Sequence, residues 1–195
     1  ISAYLSAEDV NQELVASSEL LYCEGYLWDT DESKEAIRKA MKISKSSNRK
    51  VALALSDTFC VERHREDWLE LLKEFVDYIF CNESEICALY MTKDLDKAIE
   101  KVAKNVDAAF ITLGSRGSVV VENSKKIEVE AVPVKGVVDS TGAGDIFASG
   151  VIFGMSRKLP LDKCAEIGSL MASEVITSFG PRIEKDPKKI VEHLL

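Results

Sequence analysis

The sequence predicts an α/β fold with a mostly parallel sheet covered by helices on both faces, and three observations carry that prediction. Apolar runs of strand length alternate with longer amphipathic stretches of helical period along most of the 195 residues. The runs at 50–57 and 107–114 are apolar almost throughout, as strands buried on both faces must be. A single stretch, 117–134, reads as a hairpin, so the sheet is mostly rather than wholly parallel.

The elements follow in order. The aromatic-rich run "ELLYCEGYLWD" (19–29) predicts a buried strand ending in an acidic turn. "DESKEAIRKAMKISKSS" (31–47) places Ala36, Ile37, Ala40, Met41 and Ile43 on one face, with acids early and lysines late, the charge order that suits a helix dipole. "KVALALSD" (50–57) is the next strand. "REDWLELLKEFVDYIF" (65–80) gives a helix carrying Trp68, Leu71, Leu72 and Phe75, then a short strand at 77–80. Helices at 83–90 and 94–105 precede the strand at 107–114, and the hairpin turns near Asn123-Ser124. Three helices close the chain, at about 143–156, 161–178 and 187–194.

Composition bounds the rest. A chain of 195 residues suits one domain with a sizeable core, and no repeat, low-complexity tract or linker divides it. The net charge of -8 disfavours nucleic acid and anionic membrane surfaces, but a small phosphate responds to a local site and stays allowed. The five cysteines, 23, 60, 81, 87 and 164, form no CxxC pair and sit beside apolar residues, which predicts buried free thiols in a reducing cytoplasm. His64 lies between Arg63 and Arg65 and His193 is far away, so a zinc site is not expected. No apolar run reaches transmembrane length. The opening "ISAYLSAEDV" has neither an initiator methionine nor a capping preamble, which suggests a piece of something longer.

Ligands of parallel α/β sheets bind outside the carboxyl ends of the strands, which directs attention to 29–31, 57–60, 81–85, 114–117 and 136–145. Within the last segment "VVDSTGAGDIFASG" (137–150) sets Gly142-Ala143-Gly144 and Asp145 at the start of an apolar helix. Glycines uncover backbone N–H groups and a helix start adds partial positive charge, so the pair holds an anion well. Asp145 reads structurally as an acid complementing the dipole, and Asp139 with Thr141 as a turn and N-cap. An acid beside an anion is costly, however, unless it works as a base. Gly150 and Gly154 each cost up to ~1 kcal/mol against alanine, for which close packing on the sheet is a sufficient reason. No GxxxxGK[ST] occurs, and "GAGDIF" lacks the third glycine of a dinucleotide fingerprint.

Three ordered stretches carry a resemblance. "DSTGAGDIFASG" (139–150) resembles the second signature of the ribokinase-like carbohydrate kinases, the PfkB group; "NESE" (82–85) is similar to the family's NxxE motif, and "ITLGSRGSVV" (111–120) to its nucleotide-binding strand and turn. "EGYLWD", "DTFCVERHREDWLELL" and "SFGPR" look closest to the adenosine-kinase-like branch. The family's first, glycine-pair signature is absent, as is the N-terminal segment that supplies most sugar contacts and the lid. The resemblance therefore implies the C-terminal part of a single ribokinase-like domain, a three-layer α/β fold spanning 1–195.

The resemblance also implies a mechanism. The family transfers the γ-phosphoryl of ATP to a primary hydroxyl of a sugar or nucleoside, which needs positioning and charge neutralisation more than covalent help. Gly142, Ala143 and Gly144 then form an anion hole and Asp145 is the base, which answers why an acid sits there. Asn82 and Glu85 also read as a capping box; the family match adds phosphate and Mg²⁺, the metal held by Glu85 through water. "TLGSRG" reads as a strand-to-hairpin turn, and by resemblance Thr112, Gly114, Ser115, Arg116 and Gly117 border the nucleotide. Ser169 falls where relatives touch adenine. Some members bind a monovalent cation such as K⁺ near positions matching Asp139, Thr141 and Gly180. A small-molecule nucleoside, with adenosine favoured, or a sugar is the expected acceptor, in a cytoplasmic enzyme with room for a homodimer. The alternatives are a kinase of the hydroxymethylpyrimidine or pyridoxal type and a non-catalytic nucleotide-binding module.

Overall fold

Thr30 shows how local sequence starts an element: its hydroxyl accepts the Ser33 N–H at 3.2 Å, and the chain coils from there. The computed structural model describes residues 5–194. It contains a six-stranded sheet whose spatial order follows the chain, β1 (Leu20–Glu24), β2 (Lys50–Ala54), β3 (Tyr78–Asn82), β4 (Ala108–Thr112), β5 (Ser118–Glu122) and β6 (Lys125–Val129). β1 and β3 both pair with β2 in parallel, whereas β5 and β6 pair antiparallel, so the sheet is mixed as expected. Contacts divide the chain into two compact units, Ile1–Ala109 and Phe110–Leu195.

In the first unit the helices are α1 (Gln12–Ser17), α2 (Asp31–Ser46), α3 (Thr58–Arg63), α4 (Arg65–Glu74), α5 (Glu83–Leu89) and α6 (Leu95–Val102). Ala36, Ile37, Ala40 and Met41 are the buried stripe of α2, with Asp31 and Glu32 in its first turn and Lys45 in its last. Asp77 pins the amino ends of the strands. Its buried carboxylate accepts from Lys45 Nζ at 2.9 Å, Lys50 Nζ at 3.2 Å and the Val51 N–H at 2.8 Å. Removing the two lysines would leave a buried charge without its counterions, so these bonds help fix the register of β2 against β3.

The carboxyl ends of β1 and β2 depart from expectation. The run 19–29 is not one strand: β1 stops at Glu24 and a 3-10 turn, Gly25–Trp28, follows. A Cβ on Gly25 would stand 2.6 Å from the Leu55 carbonyl oxygen, so only glycine lets the chain turn in here. The turn buries Trp28 against Trp68, ring centroids 5.0 Å apart, and Trp28 Nε1 donates to Asp67 at 2.7 Å. β2 likewise ends early, at Ala54, because Ser56 takes a left-handed φ of 72°. Asp57 then caps α3, a helix the sequence pattern did not reveal, by accepting the Cys60 N–H at 2.7 Å. The start of the chain is also better capped than its sequence suggests. The Asp9 carboxylate accepts both the Ser6 N–H and hydroxyl at 2.8 Å, and Asn11 caps α1.

The second unit holds α7 (Ala143–Ser156), α8 (Leu161–Val175) and α9 (Pro187–Val191). α8 and α9 both end short of the predicted ranges, α9 passing into a 3-10 turn, Glu192–Leu194. The hairpin turns at Asn123 and Ser124, whose φ of 50° and 62° are those of the tight two-residue turn that matches strand twist. Gly150 and Gly154 do not face the sheet, as packing considerations suggested; they face α8. A Cβ on Gly150 would lie 2.7 Å from the Gly168 Cα, and one on Gly154 2.9 Å from the Cys164 Cα. Gly168 returns the favour toward Phe147, whose carbonyl oxygen would be 2.7 Å from an added Cβ. The two helices thus touch backbone to backbone, with Phe147 and Ile167 buried on either side. Cys23, Cys60, Cys81 and Cys164 are buried thiols and Cys87 is half-buried. Among the described residues, no helix is long and apolar enough to cross a membrane.

Candidate active site

α7 opens on Gly142 at φ 76°, ψ 2°, a left-handed cap with no side-chain bond closing it. Thr141 is therefore not the cap that its sequence position suggested. A Cβ on Gly142 would collide with the Pro181 Cβ at 2.6 Å, so the glycine is required both by its dihedral and by its neighbour. The Ala143 N–H donates to the Ser140 carbonyl at 3.2 Å, and the Ile146 N–H to that of Gly142 at 2.9 Å. Between them, the N–H groups of Gly144 and Asp145 have no acceptor inside the helix. Gly144 is exposed with nothing within 4 Å of where a Cβ would stand, so the approach to these amides is open. Asp145 sits in the first turn, exposed, with its carboxylate beside the same helix start.

The loop before α7 is tied to the loop after α8. Asp139 Oδ1 accepts from the Thr141 N–H at 2.9 Å and the Thr141 hydroxyl at 2.7 Å, while Oδ2 accepts the Gly180 N–H at 2.9 Å. These three bonds, the Thr141 hydroxyl foremost, hold the Asp139 carboxyl below its usual range. The Val138 N–H adds a bond to the Ile176 carbonyl at 2.8 Å. Asp139, Thr141, Gly142, Ala143, Gly144, Asp145 and Gly180 are thereby gathered at one helix start.

Elsewhere in this unit, Thr112 ends β4 and Gly114–Arg116 form a 3-10 turn closed by a bond from the Leu113 N–H to the Gly117 carbonyl at 2.8 Å. Gly117, at φ 90°, is buried where an added Cβ would meet the Val129 carbonyl oxygen at 2.0 Å. Its requirement is structural, whereas Gly114, Ser115 and Arg116 stand exposed at the end of β4. Ser169 is half-buried in the middle of α8, next to the Gly168 contact.

In the first unit, Asn82 and Glu85 form the capping box in full. The Glu85 N–H donates to Asn82 Oδ1 at 2.9 Å, the Asn82 N–H to Glu85 Oε2 at 3.0 Å, and Asn82 Nδ2 to Glu85 Oε1 at 2.7 Å. Glu85 is nonetheless unusual for a cap because it is only 6% exposed. Burial pushes its carboxyl above the usual range and the charge of Asp57 adds to that, against the lowering effect of the Asn82 N–H. Asp57 heads the 57–60 segment that follows a strand, but the strand pattern gives it no role; an aspartate just before "TFCVER" is the signal for the cap it makes.

The family model described as pfkB family carbohydrate kinase matches residues 1–189. The crystal structure of adenosine kinase from Sinorhizobium meliloti superposes with a TM-score of 0.96 at 41% identity, covering 99% of this chain and 59% of that one. A probable sugar kinase protein from Rhizobium etli CFN 42 superposes equally well, TM-score 0.96 at 36% identity, again over 99% and 59%. Among curated proteins, a nucleoside kinase of Methanocaldococcus jannaschii is 32% identical over 133 residues, 67% of this chain and 42% of its own length. The chain thus spans 59% of each of these two solved structures and 42% of the curated nucleoside kinase. With a family model covering nearly every residue and two superpositions of this quality, the chain belongs to the pfkB family of carbohydrate kinases.

Proposed function

We propose that this chain is the ATP-binding and phosphoryl-transferring part of a kinase whose acceptor is a primary hydroxyl of a nucleoside, adenosine being favoured over a free sugar. The observation that carries the reading is the start of α7. α7 opens on a left-handed Gly142 with no side-chain cap, the first-turn amides of Gly144 and Asp145 have no helical acceptor, and a carboxylate stands in the same turn. Those amides, with Gly142 and Ala143 shaping the turn, would receive the transferring phosphoryl group, where negative charge is spread over three oxygens. Asp145 would take the acceptor's hydroxyl proton onto its carboxylate as the oxygen attacks phosphorus. Thr112, Gly114, Ser115, Arg116 and Gly117 would border the nucleotide and Ser169 its adenine. The preference for adenosine is supported by the 41% identity to the Sinorhizobium adenosine kinase.

Mg²⁺ fits the first unit through water better than directly. Both Glu85 oxygens already accept a hydrogen bond from Asn82, yet each keeps a lone pair for a water, and a cation nearby would offset the charge crowding with Asp57. When bound, the metal would neutralise phosphate charge. The carboxylate of Asp139 has its two oxygens engaged by three donors, and a monovalent cation there would have to share them. We place the protein in the cytoplasm, acting as one ribokinase-like domain. The test is phosphoryl transfer by the intact protein from ATP to adenosine, cytidine and ribose, with products identified by phosphorus NMR. A phosphorylated 5′-hydroxyl on adenosine supports the reading. Nucleotide binding with no transfer to any acceptor would instead favour a non-catalytic module.

A further inference from the structure

β6 is the last strand in the spatial order of the sheet: β5 pairs with it on one side, and among the described residues no strand pairs with it on the other. The hairpin register fixes which way its backbone points. Asn123 and Ser124, at φ 50° and 62°, make a two-residue turn, so the flanking Glu122 and Lys125 are a hydrogen-bonded pair. Such pairs alternate along an antiparallel ladder. Lys125, Ile127 and Val129 therefore turn their N–H and C=O groups toward β5, and Lys126 and Glu128 turn theirs toward the outer edge. Lys125, Lys126, Ile127 and Glu128 are all exposed, Ile127 among them although it is a large apolar side chain on a charged strand. Lysines on an edge ordinarily keep foreign strands away. Here an acid stands two residues beyond Lys126, on the same face of the strand, and the two ion-pair at 3.3 Å.

We propose that the outer edge of β6 is a self-association surface, on which a second copy of this chain pairs antiparallel about a two-fold axis at Ile127. Charge selects that arrangement. With the axis there, Lys126 stands opposite Glu128 of the second copy, and Glu128 opposite its Lys126, so the existing ion pair is completed into an alternating ring of charges. The residues that face each other are those whose backbone groups point outward, so the two strands can continue the ladder. Ile127 meets its own copy at the axis on the opposite face, which takes an exposed apolar side chain from each copy out of water. Other registers fail. Moving the axis to Lys126 sets that lysine against itself, and moving it to Glu128 does the same with the acid. A parallel pairing in register sets like charges side by side, and a one-residue slip turns the side chains to the wrong face. The strand thus repels unrelated edges while matching its own. It is short, Lys125–Val129, so the dimer is a weak one that forms reversibly as concentration rises. None of these residues belongs to the candidate active site, so the surface stands or falls apart from the phosphoryl-transfer reading.

The experiment is sedimentation equilibrium on the intact protein, native and with Lys126→Glu, Glu128→Lys and both changes together. The native protein should pass from monomer to dimer as its concentration rises. Each single reversal puts only like charges on the pairing face and should weaken self-association at least about tenfold. The double change exchanges the two signs and should restore it. Mixed in equal amounts, the two single variants should form a heterodimer, because one carries only acids at 126 and 128 and the other only lysines. A native protein that stays monomeric would overturn the surface. So would dimers indifferent to the single reversals, or single variants that fail to pair with each other. Hydrogen exchange of the Glu128 amide in the native protein gives a second reading that needs no variant to fold. That amide should exchange more slowly at dimer-forming concentrations than in dilute solution. An exchange rate independent of concentration would likewise overturn the pairing.

Discussion

Two carboxylates show how one functional group takes different work from its surroundings. Asp139 is stabilised as an anion by three donors, so its contribution is present above the ordinary carboxylate range and is lost as pH falls through its lowered pKa. Glu85 has the opposite sign. Burial raises its pKa, so the folded protein holds a proton there more readily than the unfolded chain, and stability falls as pH rises from the ordinary glutamate range through the raised value. Glu85→Gln removes that penalty while keeping one acceptor for the cap. The melting temperature of Glu85→Gln should accordingly lag the native protein more at pH 4.5 than at pH 7.5, as thermal melts at both values would read. A lag that grows toward neutral pH would contradict the account. If Glu85 also orders magnesium, the same variant should require more Mg²⁺ for half-maximal turnover, and an unchanged titration would remove the metal role. Asn-x-x-Glu was legible as a cap, but its burial was not, because the pattern of four residues does not say what covers them.

At the scale of elements, the sequence revealed which segments are helical better than what they touch. The spacing of Gly150 and Gly154 announced a close approach, yet period alone does not name the partner, and the partner is α8 rather than the sheet. Gly168→Ala should therefore destabilise the protein by about 1–3 kcal/mol, since a methyl group 2.7 Å from the Phe147 carbonyl oxygen forces the helices apart. Urea unfolding would measure it, and a neutral result would mean that α7 and α8 can separate freely. Boundaries were missed where side chains or backbone dihedrals turn the chain: Trp28 pulls a 3-10 turn out of an apolar run, and Ser56 at φ 72° ends β2 so that Asp57 can begin α3. Such turns are invisible to periodicity. The turn of the hairpin was legible because a two-residue turn leaves little choice of register, though β6 ends at Val129, short of the range expected for it.

For the molecule as a whole, the order of apolar runs and amphipathic stretches was enough to predict a mixed, mostly parallel sheet with flanking helices. The motifs around Asn82, Gly114 and Asp145 were enough to place the chain in its family. The acceptor was not legible, because few of the residues that would face it can be named from a chain spanning 59% of the Sinorhizobium adenosine kinase. The 195 residues alone should consequently bind adenine nucleotide weakly and turn over poorly. Calorimetry with ADP and a coupled assay on the isolated polypeptide would check this, and ordinary kinase turnover on adenosine would refute it.

The central claim is that Asp145 is the base of a phosphoryl-transfer site, and Asp145→Asn in the intact protein tests it most directly. The change is nearly isosteric and leaves the left-handed Gly142 and the open amides in place. As a base, Asp145 should contribute on the order of 10²–10⁴-fold to turnover, with ADP affinity equal or slightly tighter once a negative charge is removed beside the phosphates. As an acid that merely complements the helix dipole, it should contribute only about 0.3–1 kcal/mol of stability and leave turnover almost untouched. The measurement is turnover at saturating ATP and acceptor, native against Asp145→Asn. A fall of two or more orders of magnitude is the predicted result, and near-native turnover would contradict the account.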